Sequence, residues 1–116
     1  MALGGVLGAL SRYLLGSWLA VAAGSGFPWA TLQINLSGSI LLGFLLRSFP
    51  TWGTSTDARA FLTVGFCGSF TTFSTFTVET VLLAQSGAYA LAAAYALGSL
   101  ALGVAGVVLG MALAAI

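Results

Sequence analysis

Between Thr71 and Thr80 the sequence reads TTFSTFTVET, with seven polar positions in ten: Thr71, Thr72, Ser74, Thr75, Thr77, Glu79 and Thr80. On a helical wheel Ser74, Thr71, Thr75, Glu79 and Thr72 form one broad arc, with Phe73 and Phe76 beside it at i, i+3 spacing. Hydroxyls donate hydrogen bonds and aromatic rings carry positive edges, so such a face suits a small anion stripped of its water. The competing reading is that each hydroxyl bonds back to the carbonyl four residues earlier and the rings face lipid or core. For one Thr that reading is the better; for seven polar residues around an intramembrane Glu, a polar pathway is.

Other chemistry is thinly represented. There is no His and no Lys, and Cys67 is the single cysteine. Ser and Thr therefore have no side-chain base beside them, and Asp57 with Glu79 forms no evident acid/base pair, so an enzyme is not expected. An intrachain disulfide is excluded, and so are the usual Cys and His clusters for transition metals.

The surrounding composition is that of a membrane protein: 59% hydrophobic and only 4% charged over 116 residues, where soluble domains carry about a quarter charged. The charges are Arg12, Arg47, Arg59, Asp57 and Glu79. They form no basic patch, so nucleic acid is not an expected partner. A span needs about 20 apolar residues, so the length accommodates four with short loops, an all-α transmembrane domain over residues 1–116. The expected spans are 2–23, 29–47, 56–85 and 88–116, punctuated by GSGFP, SFPTWGTSTD and QSG. The first lacks a basic leader region and contains Arg12, so it reads as a mature helix, not a cleaved signal. Trp18, Trp29, Trp52, Tyr13 and Tyr89 fall mostly near span ends, as interfacial aromatics do. Arg47 and Arg59 flank the second loop, a bias of two arginines that favours termini in the cytoplasm. Gly4 and Gly8, and Gly106 and Gly110, have the GxxxG spacing that lets helices approach closely in lipid. No internal repeat is visible, so pore symmetry would have to come from assembling copies of the chain.

The third segment is too long. Thirty residues as one straight helix span about 45 Å, against a hydrocarbon core of about 30 Å. A break near residues 65–70, where Gly65 and Gly68 bracket GFCG, is the economical solution. It frees backbone carbonyls in a place without water, and unwound carbonyls are a known way to hold a small cation. Elsewhere, Asn35 is either an interhelical hydrogen-bonding residue or an amide donor to an anion. Arg12 either snorkels to an interface or makes an aqueous vestibule positive. Tyr95 and Ser99 share a face at i, i+4 and either line the same polar track or bond a neighbouring helix.

Three stretches resemble the signatures of the Fluc (CrcB) fluoride channels: GGVLGALSRY in the first helix, ATLQINLSGSILLGF in the second and GFCGSFTTFSTF in the third. The last is the most specific, and the resemblance covers essentially the whole chain. It implies an antiparallel, dual-topology homodimer with two fluoride pores in the bacterial inner membrane, exporting toxic fluoride passively. It further implies that the backbone carbonyls of Gly68 and Thr71 bind a structural sodium ion where two broken third helices cross. Phe73 and Phe76 would present ring edges to fluoride, Asn35 would donate to it, and Ser74, Thr75, Tyr95 and Ser99 would continue the polar track. Glu79 would lie by the pore and Arg12 near an entrance. Nothing resembles a nucleotide-binding loop, so no nucleotide is an expected partner.

Two other classes fit the coarse pattern. Proton-coupled small multidrug transporters are also four-helix chains of this size, but they resemble one another in an acidic residue of the first helix, which residues 2–23 lack; Glu79 is the only candidate proton site. A non-transporting membrane subunit would account for the glycines and leave the hydroxyls unexplained.

Overall fold

The computed structural model describes residues 1–24 and 26–116. Four spans are long and apolar enough to cross a membrane: Ala2–Ala23, Trp29–Trp52, Thr56–Gln85 and Tyr89–Leu113. Among the described residues there is no strand. The first two spans are single helices, α1 (Ala2–Ala23) and α2 (Trp29–Trp52). The third is composite: α3 (Thr56–Ala60), a π-helical segment (Phe61–Cys67), α4 (Gly68–Phe70) and α5 (Phe73–Gln85). The fourth is α6 (Tyr89–Leu113). Leu3, Leu14, Trp18, Leu97 and Leu100 are exposed on the outside of the bundle, which in water would leave a large apolar patch and in lipid is the expected exterior.

Two backbone interfaces hold the bundle, and both rest on glycine. A Cβ on Gly4 or Gly8 of α1 would collide with the carbonyl of Phe61 or Phe66, and one on Gly65 would meet the backbone of α1 in return. On the other side, a Cβ on Gly43 of α2 would strike the Val107 carbonyl, and one on Gly110 of α6 the Ile40 carbonyl. Lipid gives no hydrophobic drive to helix association, so this close van der Waals approach is the main source of adhesion. Small apolar clusters fill the remainder, Leu19 with Ile34 and Phe70, and Leu45 with Phe49 and Cys67.

The fourth helix ends at Leu113, three residues short of the expected 116, and two other boundaries differ more. α2 runs past Arg47 and through Pro50 to Trp52. Buried Phe49 anchors this last stretch, and Gly53 ends it in the left-handed conformation (φ 60°) with its N–H donated to the Phe49 carbonyl. In the third span the glycines do not interrupt the helix: Gly68 is helical (φ −63°, ψ −34°). The helical path stops three residues later, where Thr71 (φ −78°, ψ 159°) and Thr72 (φ −147°, ψ 114°) are extended. Gly65 is consumed in packing against α1 instead, and the interruption falls where side chains can satisfy the freed backbone.

Candidate functional site

Thr72 is where the interruption is organised. Its N–H donates to Asn35 Oδ1 at 2.7 Å and its carbonyl accepts from Asn35 Nδ2 at 3.1 Å. Its side chain caps α5, accepting from the Thr75 N–H at 3.2 Å and donating to the Thr75 hydroxyl at 2.9 Å. These bonds redirect two amides. In a continued helix the Thr72 and Thr75 N–H groups would return to the carbonyls of Gly68 and Thr71; here those two oxygens lose their helical donors. Neutral carbonyl oxygens suit a hard cation, so the donor set fits sodium. Among the described residues no three His, Cys, Asp or Glu side chains cluster as metal ligands.

A second polar centre joins α2, α5 and α6. Thr31 Oγ1 donates to Glu79 Oε1 at 2.8 Å, and the Tyr95 hydroxyl donates to Oε2 at 2.6 Å. Thr31 and Tyr95 are both buried. The Tyr95 ring lies edge-on to Phe27 and to Phe76, with centroids 5.4 Å and 5.2 Å away, and Phe76 in turn leans on Phe73 at 5.8 Å. An aromatic path thus runs from the loop before α2 to the exposed Phe73.

Three cavities open beside these centres. The largest, about 690 Å³, lies between α1, α2 and α5 and is lined by Arg12, Ser17, Thr31, Ser74, Thr75 and Glu79 among others. A groove of about 320 Å³ between α2, α5 and α6 is lined by Asn35, Ser39, Phe73, Phe76 and Ser99. A third, about 300 Å³, runs over Asn35, Gly68, Thr71, Thr72 and Phe73. Ser99 Oγ is buried without a hydrogen-bond partner, an unusual state for a hydroxyl.

This arrangement is carried by a sequence with clear relatives. A family profile described as "CrcB-like protein, Camphor Resistance (CrcB)" matches residues 1–111. The chain belongs to the CrcB family. CrcB relatives named "Fluoride-specific ion channel FluC" include one from Thermus thermophilus, 50% identical over 103 residues, which cover 89% of this chain and 81% of the relative. One from Nitrobacter winogradskyi is 45% identical over 112 residues, covering 96% and 89%. "Fluoride-specific ion channel FluC 2" of Symbiobacterium thermophilum is 50% identical over 115 residues, covering 98% and 94%. With four membrane-competent spans, this CrcB chain is a multi-pass membrane protein.

The structure sorts the expected residues into groups. Arg12, Ser74, Thr75 and Glu79 share the largest cavity; Asn35, Phe73, Phe76 and Ser99 share the groove; Gly68 and Thr71 flank the third, with Asn35 again. Tyr95 touches the set through Glu79 and Phe76. The single hydroxyl arc is not kept intact. Of its members Thr71 bonds back to the Cys67 carbonyl, and Thr71 and Thr72 lie outside the helix that the wheel assumed; Thr77 and Thr80, off the arc, bond back to the carbonyls of Ser74 and Phe76. Ser74 and Thr75 remain open to the cavity. Thr31 and Ser39 are polar lining residues of the second span that sequence reasoning passed over. They stand four residues either side of Asn35, and that i, i+4, i+8 stripe was the available signal.

Proposed function

We propose that this CrcB-family chain is one half of a passive fluoride channel, an antiparallel, dual-topology homodimer in the bacterial inner membrane that lets toxic fluoride leave the cell. The observation that carries this reading is a set of uncharged donors and ring edges around cavities at span depth, in a chain similar along almost its whole length to proteins named fluoride-specific ion channels. Fluoride holds its water strongly, so a path must replace that water with donors at each step. Asn35 spends one Nδ2 hydrogen on Thr72 and keeps the second for an ion. Ser99 supplies a hydroxyl with no protein partner, and Phe73 and Phe76 supply positive edges. Arg12, Ser74 and Thr75 serve the wider cavity as its entrance, with Glu79 beside the path.

The third span would lie with its Thr71–Thr72 interruption near mid-membrane and cross that of an opposed copy. Four carbonyls, Gly68 and Thr71 from each chain, would then hold one sodium ion, whose charge offsets the concentration of freed oxygens. The channel needs no chemical step, and the chain is not an enzyme in this reading. The multidrug-transporter alternative finds no acidic residue in the first helix, and the oxygens of Glu79 are each engaged by a buried hydroxyl.

The test is fluoride efflux from liposomes holding the purified protein, followed with a fluoride electrode. Fast efflux without chloride efflux and without a proton requirement is expected. Folded protein that passes no fluoride would sink the reading.

A further inference from the structure

We infer that Asn35 is a positioning residue whose amide group stands in for a neighbouring β-strand and holds the third span open at Thr72. In an extended residue the N–H and C=O point to the same side. Thr72 has that geometry, at φ −147° and ψ 114°, and the planar Asn35 amide meets both groups at 2.7 Å and 3.1 Å. The match also fixes the amide's orientation, because the flipped form would set oxygen against oxygen and nitrogen against nitrogen.

The consequence extends beyond Thr72. While Asn35 holds the Thr72 N–H, that amide cannot return to the Gly68 carbonyl, so the helix cannot zip across the interruption. α5 must then start afresh, with the Thr72 hydroxyl as its cap. The same face of α2 makes room for this at Gly38, three residues on, where a Cβ would meet the Thr71 methyl and the Phe70 ring. Asn35 and Gly38 together form a seat for residues 70–72, one by binding and one by absence. Asn35 thereby acts on the oxygens of Gly68 and Thr71 without touching them. The alternative role, a donor to the ion and nothing more, leaves the interruption to other contacts.

The two roles separate in residue-resolved amide exchange of the full-length protein in detergent micelles by NMR. In the wild type the Thr72 amide should exchange at least tenfold more slowly than those of Phe73 and Ser74, first-turn amides of α5 with no intrahelical acceptor. In Asn35→Ala that difference should disappear while amides at Leu82 and Leu83 keep their rates, so that the loss is local. Gly38→Ala alters neither the amide nor any hydroxyl and should also speed Thr72 exchange, with reduced fluoride efflux. Wild-type Thr72 exchanging as fast as Phe73 and Ser74 would overturn the inference without any variant having to fold. So would a folded Asn35→Ala protein that loses efflux with Thr72 still protected. Wild-type protein that protects Thr72 yet conducts no fluoride would sink the proposed function and leave the positioning role standing.

Discussion

The Tyr95 hydroxyl donates to Glu79 Oε2 at 2.6 Å from a ring only 1% exposed, so the chain's one glutamate is tied to α6 at its most buried aromatic residue. Thr31 holds the other oxygen from α2. Three helices therefore meet on one carboxylate.

Tyr95→Phe keeps the ring and its contacts with Phe27 and Phe76 and removes one donor from the carboxylate. Hydrogen bonds to charged groups contribute about 1.5–3 kcal/mol. The expected outcome is a lower thermal midpoint and slower fluoride efflux, with Tyr95→Phe and Glu79→Gln less than additive in a double-mutant cycle. Additive effects would mean that the two residues act independently.

Ser99→Ala separates stability from conduction in the opposite sense. The hydroxyl is buried and unpartnered in the chain, so removing it relieves a desolvated group and should leave the thermal midpoint unchanged or raised. Efflux should nevertheless fall several-fold, because a donor facing the Asn35–Phe73–Phe76 groove is lost. A destabilised variant with unchanged efflux would show that Ser99 bonds a protein group instead.

The four spans were legible in the sequence because hydropathy and Gly/Pro punctuation act locally, and the excess length of residues 56–85 marked the third as irregular. The position of the interruption was not legible. Gly65 and Gly68 look like breakers in sequence, yet Gly65 serves the approach of α1, and the real break at Thr71–Thr72 depends on Asn35, 37 residues away. Back-bonding of Thr71, Thr77 and Thr80 is the alternative that the sequence left open for each hydroxyl, and which of them take it depends on neighbours that a wheel does not carry. Glu79 was visible as the one acid far from the ends of a span, but its partners Thr31 and Tyr95 come from other helices, and no pattern within one segment pairs them.

Phe73→Ile and Phe76→Ile should abolish most fluoride efflux by removing a ring edge while keeping bulk and apolarity. Phe73 is 77% exposed in the chain, so its replacement should change the chain's own packing little. Phe76→Ile also removes the edge contact with Tyr95 and should lower the thermal midpoint more. Efflux unchanged in both variants would exclude the rings from the path.

Helix adhesion gives a paired prediction. A Cβ on Gly110 would collide with the Ile40 carbonyl, whereas one on Gly98 meets nothing within 4 Å. Gly110→Ala should therefore cost about 1–3 kcal/mol, the usual range for forced overpacking, and Gly98→Ala should be neutral or slightly stabilising through helix propensity. Thermal midpoints of the two purified variants compare the sites directly, and equal midpoints would remove close α2–α6 approach as a source of stability.

Assembly is tested at Gly68, which is exposed and whose added Cβ meets nothing closer than the Thr63 carbonyl at 3.6 Å. A cysteine fits there without disturbing the chain. In a Cys67→Ser background, which removes the one natural thiol, Gly68→Cys should form an intermolecular disulfide on mild oxidation, since an antiparallel crossing brings both copies of this residue to one axis. Disulfides require Cα atoms within about 4.4–6.8 Å, so linkage demands a crossing at this residue and not merely a dimer. A control cysteine at Leu97, exposed on α6, should not link. Sodium should slow the oxidation if the Gly68 carbonyls hold it, by fixing the backbone around the thiols. Linkage at Leu97 and not at Gly68 would place the contact between copies on the wrong helix for the proposed channel.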